Sequence, residues 1–298
     1  MAAYPPQVRV VEVGPRDGLQ SEPLTVDTNS KIELINRLSE TGLRVIEATS
    51  FVSPQWIPQL ADAEAVCSGI QRHDGVDYPV LVPNRKGLER ALAVGVKQIA
   101  LFTAASQTFC WNNIHCSIEQ SLERYEPVIT CAKAEGIEVR AYLSCVLGCP
   151  YEGEVDVGRV AELAQHFVQA GCYEISLGDT IGCGTPLAAQ RMVATVAQTV
   201  PMHQLAIHFH DTRGQALANI VACLKLGVAV VDAAVAGLGG CPYATGVAGN
   251  VATEDLVTML HGMGIETGID LEKLIDAGRF ISQTLSRENR SRVGRLPS

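Results

Sequence analysis

The sequence predicts an α/β fold, a (β/α)8 barrel followed by additional C-terminal helices. Three observations predict it. Eight short runs rich in β-branched residues alternate with patterns of helical spacing along most of the 298 residues. No stretch of linker-like composition interrupts this alternation, so a single domain is expected over 1–298, with the barrel at about 8–262 and a helical extension at about 263–298. Glycines also stand just before several strands, where helices should end: Gly95, Gly136, Gly171 and Gly227.

The elements follow in order from these patterns. Strands are predicted over 8–13, 44–49, 78–83, 97–102, 138–144, 173–177, 205–210 and 229–235. Helices are predicted over 29–41, 59–67, 86–93, 118–134, 155–169, 186–198, 215–226, 253–262 and 271–285. In the first helix the apolar residues from Ile32 to Leu38 share one face, and Gly42 ends it. A loop is expected over 103–117, and the charged tail over 287–298 is expected to fray or to lie on the surface.

Composition limits the possible partners. The formal net charge is −9, which argues against general binding to nucleic acid or to a membrane surface. No apolar run approaches the roughly 20 residues of a transmembrane helix, and the N-terminus lacks a secretory signal. The ten scattered cysteines indicate a reducing compartment. A cytoplasmic location is expected, with the mitochondrial matrix left open for a chain whose transit peptide has been removed.

Two histidines mark the end of the seventh strand. Residues two apart on a strand face the same way, so His208 and His210 should aim at one point. Converging imidazoles make a metal site or an acid/base pair. Hydrogen-bonded histidines of the barrel rim are the other interpretation of this pair alone.

Other strand ends carry reactive side chains, and function in a barrel collects at the carboxyl ends of its strands. Arg16 and Asp17 follow the first strand between two glycines. Glu47 lies among apolar residues of the second strand, and because a buried carboxylate needs a partner, we expect it to pair with Arg16. Asp179 follows the sixth strand, and a glycine-rich loop after the eighth presents Cys241.

These positions together predict a metal centre. Asp17, His208, His210 and Asn250 would meet at one end of the barrel. Two imidazoles, a carboxylate and an amide oxygen suit a divalent cation with mixed nitrogen and oxygen ligands, so Mg²⁺ or Mn²⁺ is expected rather than structural zinc. Arg16 beside the cation would stabilise an oxyanion. A cation and an arginine in this arrangement suit the making or breaking of a carbon–carbon bond next to a carbonyl.

Five motifs in order resemble the 3-hydroxy-3-methylglutaryl-CoA lyase family of metal-dependent barrel enzymes. The resemblance runs from about Val8 to Gly268. Its motifs are Val11–Gln20, Ser50–Pro54, Gly148–Tyr151, His208–Thr212 and Ala236–Tyr243, of which the glycine–cysteine loop is the most discriminating.

The resemblance implies a mechanism. Cleavage of the acyl-CoA substrate would give acetoacetate and the enolate of acetyl-CoA. Arg16 would stabilise the enolate oxygen, Cys241 would donate or carry a proton, and His208 would combine metal ligation with proton transfer. Glu47 and Asp179 would orient Arg16 and the metal site. The group that removes the first proton stays open, and a homodimer is expected from the resemblance alone.

Substrate contacts are expected at Arg16, Gln20, Asn84 and Lys86. Pro23 stands where familiar members carry a lysine, so a basic contact to the CoA phosphates is absent there, and Lys86 could replace it. An ordinary surface cation is the equal alternative for Lys86. Arg213 stands where a tyrosine is common after the histidine motif. This difference leaves open a substrate with a different acyl group.

Three alternatives remain open. The same chemistry could act on another 3-hydroxyacyl-CoA, such as citramalyl-CoA or a longer 3-hydroxyglutaryl-CoA. A related condensing synthase is disfavoured because such enzymes usually carry an added C-terminal regulatory region. A catalytically dead barrel that serves as a binding module would not need the complete set of reactive residues.

Overall fold

The fold is built from parallel strands, each followed by helices. The structure is a computed structural model that describes residues 4–241 and 244–297, and the side chains of residues 241 and 244–248 are left out of the description. Its strands are β1 (Arg9–Glu12), β2 (Val45–Ile46), β3 (Thr49–Ser50), β4 (Val80–Leu81), β5 (Gln98–Ala104), β6 (Glu138–Ser144), β7 (Glu174–Asp179), β8 (Leu205–Phe209), β9 (Val230–Ala233), β10 (Gly240–Cys241) and β11 (Ala244–Ala248).

The helices surround this sheet. They are α1 (Thr28–Ser39), α2 (Ala63–Gly69), α3 (Arg85–Ala93), α4 (Gln107–Ile114), α5 (Ile118–Ala134), α6 (Val157–Ala170), α7 (Pro186–Val196), α8 (Ala216–Leu224), α9 (Thr253–Gly262) and α10 (Leu271–Thr284). Short 3-10 turns lie over Pro58–Leu60, Met202–Gln204 and Val235–Gly237, and one π-helical turn covers Gly14–Gly18. Among the described residues, no helix combines the length and apolar character that crossing a membrane requires.

The sheet closes on itself where the second predicted strand divides. The strands are ordered β2-β1-β9-β8-β7-β6-β5-β4-β3, with parallel pairs throughout. β2 and β3, at the two ends of that order, are separated only by two residues. Glu47 donates its N–H to Glu12 while Ala48 donates to Pro79, so one segment changes partner from the first strand to the third. The predicted (β/α)8 barrel is confirmed.

Side chains of alternate residues meet inside the barrel. Arg140 lies beside Glu174 in the register of β6 and β7, and Tyr142 lies beside Ser176. Because residues paired in neighbouring parallel strands point to the same side of the sheet, the polar side chains line the barrel interior toward the carboxyl ends of the strands. The outer faces of the same strands are apolar and pack under the helices.

The region predicted as a loop over 103–117 contains a helix. Ser106 caps α4 by accepting a hydrogen bond from the N–H of Phe109 at 3.1 Å. His115 ends it in the left-handed conformation, with φ 53°. The short helix lacks a clear apolar stripe, which is why periodicity did not predict it.

Of the two outcomes expected for the C-terminal tail, the structure shows the second: the tail does not fray but lies along the surface of the barrel. Ser291 is completely buried and donates its hydroxyl to Asp255 at 2.7 Å. The same carboxylate accepts the N–H of Arg292 at 3.1 Å and of Val293 at 2.9 Å. A single acidic side chain on α9 therefore anchors the tail to the barrel. This contact also supports the prediction of a single domain, which stays a proposal.

Candidate active site

A cavity of about 440 Å³ opens at the carboxyl ends of the strands. Its wall includes the predicted residues Arg16, Asp17, His208 and His210. The π-helical turn after β1 brings in the first two, and the inward parity of β8 brings in the histidines. The position agrees with the general placement of active sites in such barrels.

The predicted metal ligands lie together. Asp17, His208 and His210 each offer a ligand atom, and these atoms lie within 4.8 Å of one another. Asn250 joins them because its backbone pairs with His210. Its Nδ2 donates to Oδ2 of Asp17 at 2.7 Å, and half a turn of the amide would present its oxygen to the same point.

The protonation states of Asp17 and His210 favour a cation at this cluster. Burial alone would raise the pKa of Asp17, but Arg16 and the two imidazoles hold it at about 2. Burial beside His208 lowers the pKa of His210 to about 4. Asp17 is therefore ionised and His210 neutral near pH 7, and Nδ1 of His210 is buried without a hydrogen-bond partner among the described residues. This donor set fits a divalent ion with nitrogen and oxygen ligands.

His208 is oriented by an acid that sequence reasoning missed. Its Nδ1 lies 3.3 Å from Oδ2 of Asp232, while Nε2 lies 4.0 Å from Oδ2 of Asp17. Asp232 in turn receives two hydrogen bonds from Arg140, at 2.7 and 3.1 Å, and one from Ser176 at 2.7 Å. A carboxylate this close to Nδ1 favours the tautomer that carries the hydrogen on Nδ1 and leaves Nε2 free as a ligand. Asp232 was recognisable as an acid in an otherwise apolar strand, as Glu47 was.

Arg16 is fixed before any substrate arrives. It is buried, and its Nε donates to Glu47 at 2.7 Å, which confirms the predicted ion pair. Its Nη1 donates to Asp17 at 2.8 Å, and its guanidinium lies 5.2 Å from the ring centroid of Tyr142. The hydroxyl of Tyr142 donates to the same oxygen of Glu47 at 3.1 Å. The guanidinium of Arg16 is thus held rigidly next to the candidate metal ligands Asp17, His208 and His210, which are called the metal cluster below.

Asp179 ends β7, as the sequence suggested, but its carboxylate makes its hydrogen bonds within the loop that follows. Its carboxylate accepts hydrogen bonds from the backbone of Cys183 at 3.1 Å and of Gly184 at 2.8 Å. It therefore holds the loop after β7, and the described hydrogen bonds of the carboxylate do not reach Arg16. Only its backbone carbonyl approaches the metal cluster, where it accepts the N–H of His210 at 3.3 Å. The expectation that it orients Arg16 is corrected.

Comparison with known proteins identifies the family. The HMGL-like family model matches residues 7–281. The chain belongs to the HMGL-like family. It is 59% identical to the mitochondrial hydroxymethylglutaryl-CoA lyase of Gallus gallus over 98% of both chains. It is 54% identical to the cytoplasmic 3-hydroxy-3-methylglutaryl-CoA lyase of Rattus norvegicus over 98% of this chain and 85% of the relative.

Solved structures agree with this family assignment. The hydroxymethylglutaryl-CoA lyase of Pseudomonas aeruginosa superposes with a TM-score of 0.96 at 54% identity, over 98% of this chain and 97% of the other. An HMG-CoA lyase from Acinetobacter baumannii, in complex with coenzyme A and 3-methylmalate, gives a TM-score of 0.94 at 40% identity. That match covers 99% of this chain and 97% of the other.

Of the predicted substrate contacts, some line the cavity and one does not. Gln20 and Asn84 line the cavity, and Asn84 also caps α3 by accepting the N–H of Gly87 at 3.0 Å. Lys86 is exposed on the first turn of α3 and is absent from the described cavity wall. The backbone of Cys241 pairs with Ala244, but its side chain lies outside the description.

The cavity mouth contains residues that the sequence did not predict. Trp56 and His115 approach each other with ring centroids 4.7 Å apart, and both line the cavity. Arg124 joins them and donates to the carbonyl of Ile114 at 3.3 Å. The region was predicted as a loop, so α4 and its left-handed end were not available to bring these residues together.

Proposed function

We propose that the protein cleaves 3-hydroxy-3-methylglutaryl-CoA to acetyl-CoA and acetoacetate with the help of a bound divalent cation. The observation that carries the proposal is the cluster of Asp17, His208 and His210 directly beside the buried Arg16, in the cavity of a chain that belongs to the HMGL-like family. Nearly full-length relatives named as lyases support this reaction over an unreactive barrel.

Asp17, His208, His210 and Asn250 would hold the cation. When bound, it acts as a Lewis acid that polarises the C3 hydroxyl and the neighbouring carboxylate side of the substrate. Mixed nitrogen and oxygen ligands favour Mg²⁺ or Mn²⁺, and we propose one of these two.

Arg16 would stabilise the enolate oxygen that develops on the acetyl-CoA half as the C2–C3 bond breaks. Its hydrogen bonds to Glu47 and Asp17 fix the guanidinium in advance, so little reorganisation is required during the reaction. Glu47 thereby acts as a positioning residue, and Tyr142 restricts the same guanidinium from its ring face.

Proton transfer would involve Cys241 and His208. Cys241 would donate the proton that converts the enolate of acetyl-CoA to product, because a thiol can supply a proton at neutral pH. Asp232 keeps the imidazole of His208 in one orientation, which suits both ligation and a proton-transfer role.

The partner of this site is an acyl-CoA molecule, and the solved relative in complex with coenzyme A supports that choice. Action on citramalyl-CoA or a longer 3-hydroxyglutaryl-CoA is not favoured by the names of the relatives. We also propose a homodimer and a cytosolic location. Relatives named mitochondrial and cytoplasmic both exist, so cell fractionation tests the compartment and sedimentation tests the dimer.

The direct test compares substrates. Purified protein is assayed with 3-hydroxy-3-methylglutaryl-CoA and with citramalyl-CoA, each with Mn²⁺, with Mg²⁺ and with EDTA. Acetoacetate and acetyl-CoA formed from the first substrate only with metal would support the proposal. Cleavage of citramalyl-CoA alone would move the function to the alternative substrate. Turnover that survives complete removal of metal would contradict the role of the cation.

A further inference from the structure

The segment that leads into the glycine-rich loop, residues 235–239, is called the loop root here. It follows β9 and reaches Gly240 and Cys241 at its far end. At Ala236 and Gly239 its backbone contacts side chains of the C-terminal tail and of two glutamates from distant parts of the chain. These contacts belong neither to the metal cluster nor to the Arg16 pair.

Ala236 is the strained residue of the loop root. Its φ of 56° lies in the left-handed region, which costs a residue with a Cβ on the order of 1 kcal/mol. Its N–H is held by both oxygens of Glu254, at 2.9 and 3.0 Å. Its carbonyl accepts the N–H of Arg290 at 3.1 Å and the Nη2 of Arg287 at 3.2 Å. Such a conformation persists only where the surroundings fix it from several sides.

Gly239 is held by the same part of the tail. Its carbonyl accepts Nη1 of Arg290 at 2.5 Å, and its N–H donates to Oε1 of Glu22 at 3.3 Å. That oxygen of Glu22 lies 3.4 Å from Nε of Arg287. Two arginines of the tail therefore reach both ends of the loop root, directly and through Glu22.

The loop root lies against the metal cluster. Nδ2 of Asn250 donates to the carbonyl of Leu238 at 3.2 Å as well as to Asp17 at 2.7 Å. Leu238 also packs closely on Gly18, where an added Cβ would come within 2.5 Å of the leucine Cβ. A shift of the loop root would therefore displace the start of the loop that carries Cys241.

We propose that Arg287 and Arg290 are positioning residues that fix the loop root, so that the C-terminal tail contributes to turnover without touching the substrate. The proposal rests on the lyase reaction and on the proposed role of Cys241. The tail keeps its place without these two side chains, because Asp255 holds Ser291, Arg292 and Val293 independently. A variant that misplaces the loop root can therefore be distinguished from a variant in which the whole tail detaches.

The experiment compares Arg287→Ala, Arg290→Ala and the double variant with the control Arg295→Ala. Arg295 belongs to the same tail and has the same charge, but its guanidinium pairs with the exposed Glu288 at 3.1 Å. We expect kcat of the double variant to fall by about 10-fold to 100-fold, because misplacement of a reacting group is costly even when its cause is remote. KM and the Kd for Mn²⁺ should stay within about threefold of the control.

Backbone amide exchange gives a second readout that does not depend on substrate. Peptides that cover 235–241 should exchange faster in the double variant, while peptides that cover 291–297, whose N–H groups at Arg292 and Val293 are held by Asp255, should not change. Arg290→Lys should recover part of kcat, since an ammonium can donate one hydrogen bond to the carbonyl of Gly239.

Two results would overturn the proposal: a kcat equal to that of Arg295→Ala, or unchanged exchange over 235–241. If the double variant fails to fold, Arg290→Lys and Arg290→Ala decide the question by the same two criteria. If the unsubstituted protein does not cleave 3-hydroxy-3-methylglutaryl-CoA, the proposed function fails. The exchange result then still decides whether the arginines fix the loop root.

Discussion

Two pairs of carboxylates lie near the mouth of the barrel, and they differ in protonation. Asp17, which belongs to the metal cluster and is partly exposed, and Asp232, which is fully buried beside His208, have pKa values below the usual range, because arginines and imidazoles outweigh the effect of burial. Glu12 and Glu254 hold the loop root and its neighbours, and burial raises the pKa of Glu12 to about 7 and of Glu254 to about 8.

Charged hydrogen-bond partners, rather than the extent of burial, decide whether these acids stay ionised. The partners of Glu12 are uncharged: the N–H of Gly14, the N–H of Val235 and the hydroxyl of Thr253. Asp17 contacts the guanidinium of Arg16 instead. The ionised pair, Asp17 and Asp232, is thus suited to attract a cation. The pair with raised pKa values, Glu12 and Glu254, is suited to accept hydrogen bonds from backbone N–H groups.

The largest expected effect comes from removing the charge at the metal cluster. Asp17→Asn deletes a ligand charge and leaves Arg16 with one carboxylate partner, so kcat/KM should fall on the order of 10³-fold and Mn²⁺ binding should weaken strongly. Steady-state kinetics and Mn²⁺ titration measure both. The control is Asp156→Asn, at the exposed cap of α6, which should change neither. Normal Mn²⁺ affinity in Asp17→Asn would remove it from the ligand set.

Asp232→Asn should have the next largest effect. It leaves Arg140 buried with only Glu174 as a charged partner, so we expect a loss of about 3 kcal/mol in the free energy of unfolding. Because the negative charge beside Nδ1 of His208 is also lost, Mn²⁺ affinity should fall roughly 10-fold to 100-fold.

The matched control for Asp232→Asn is Ser176→Ala. It removes one neutral donor from the same carboxylate and should cost about 1 kcal/mol, with little change in Mn²⁺ affinity. Denaturant unfolding and Mn²⁺ titration measure both variants. If Asp232→Asn binds Mn²⁺ as the control does, Asp232 does not orient His208.

The third prediction concerns the pH dependence of cation binding. Burial alone would lower the pKa of His208, but Asp232 and Asp17 raise it above the usual value. Below that pKa a cation must displace a proton, so Mn²⁺ affinity should fall roughly tenfold for each further unit of decreasing pH. Calorimetric titrations between about pH 6 and pH 8 test this. The slope should persist in His166→Gln, at an exposed histidine of α6, and a flat profile would contradict the prediction.

The smallest effect concerns the second pair. Glu254 has its pKa raised to about 8 from 4.5, so the folded protein binds more protons than the unfolded chain between these values. The free energy of unfolding therefore decreases as pH rises through this interval. Glu254→Gln should remove about 1.4 kcal/mol of that decrease for each pH unit inside the interval, while Glu266→Gln, at an exposed position, should not. Identical pH profiles in both variants would contradict the assigned protonation.

Local rules predicted the fold and much of the site. Strand parity alone aims His208 and His210 at one point, and their ring centroids lie 5.3 Å apart. The need of a buried carboxylate for a partner predicted the Arg16–Glu47 pair. Both arguments depend on residue type and spacing, which the sequence contains directly.

Long-range contacts account for what was missed. The resemblance assigned Asp179, together with Glu47, to orienting Arg16 and the metal site, but the glycine-rich turn after β7 satisfies the carboxylate of Asp179 locally. The sequence left open whether the charged tail frays or lies on the surface, and the contact with Asp255 on α9 decides for the surface. Residue type cannot decide between a solvated charge and a charge that meets a partner from a distant element.

The most direct test of the central claim is a Mn²⁺ titration of metal-free protein in which bound ion and acetoacetate formation are followed together. We predict that cleavage of 3-hydroxy-3-methylglutaryl-CoA appears in proportion to occupancy and saturates at about one ion per chain. Activity that is already complete before the ion binds, or an ion that binds fully in Asp17→Asn, would contradict the assignment of this cluster as the catalytic metal centre.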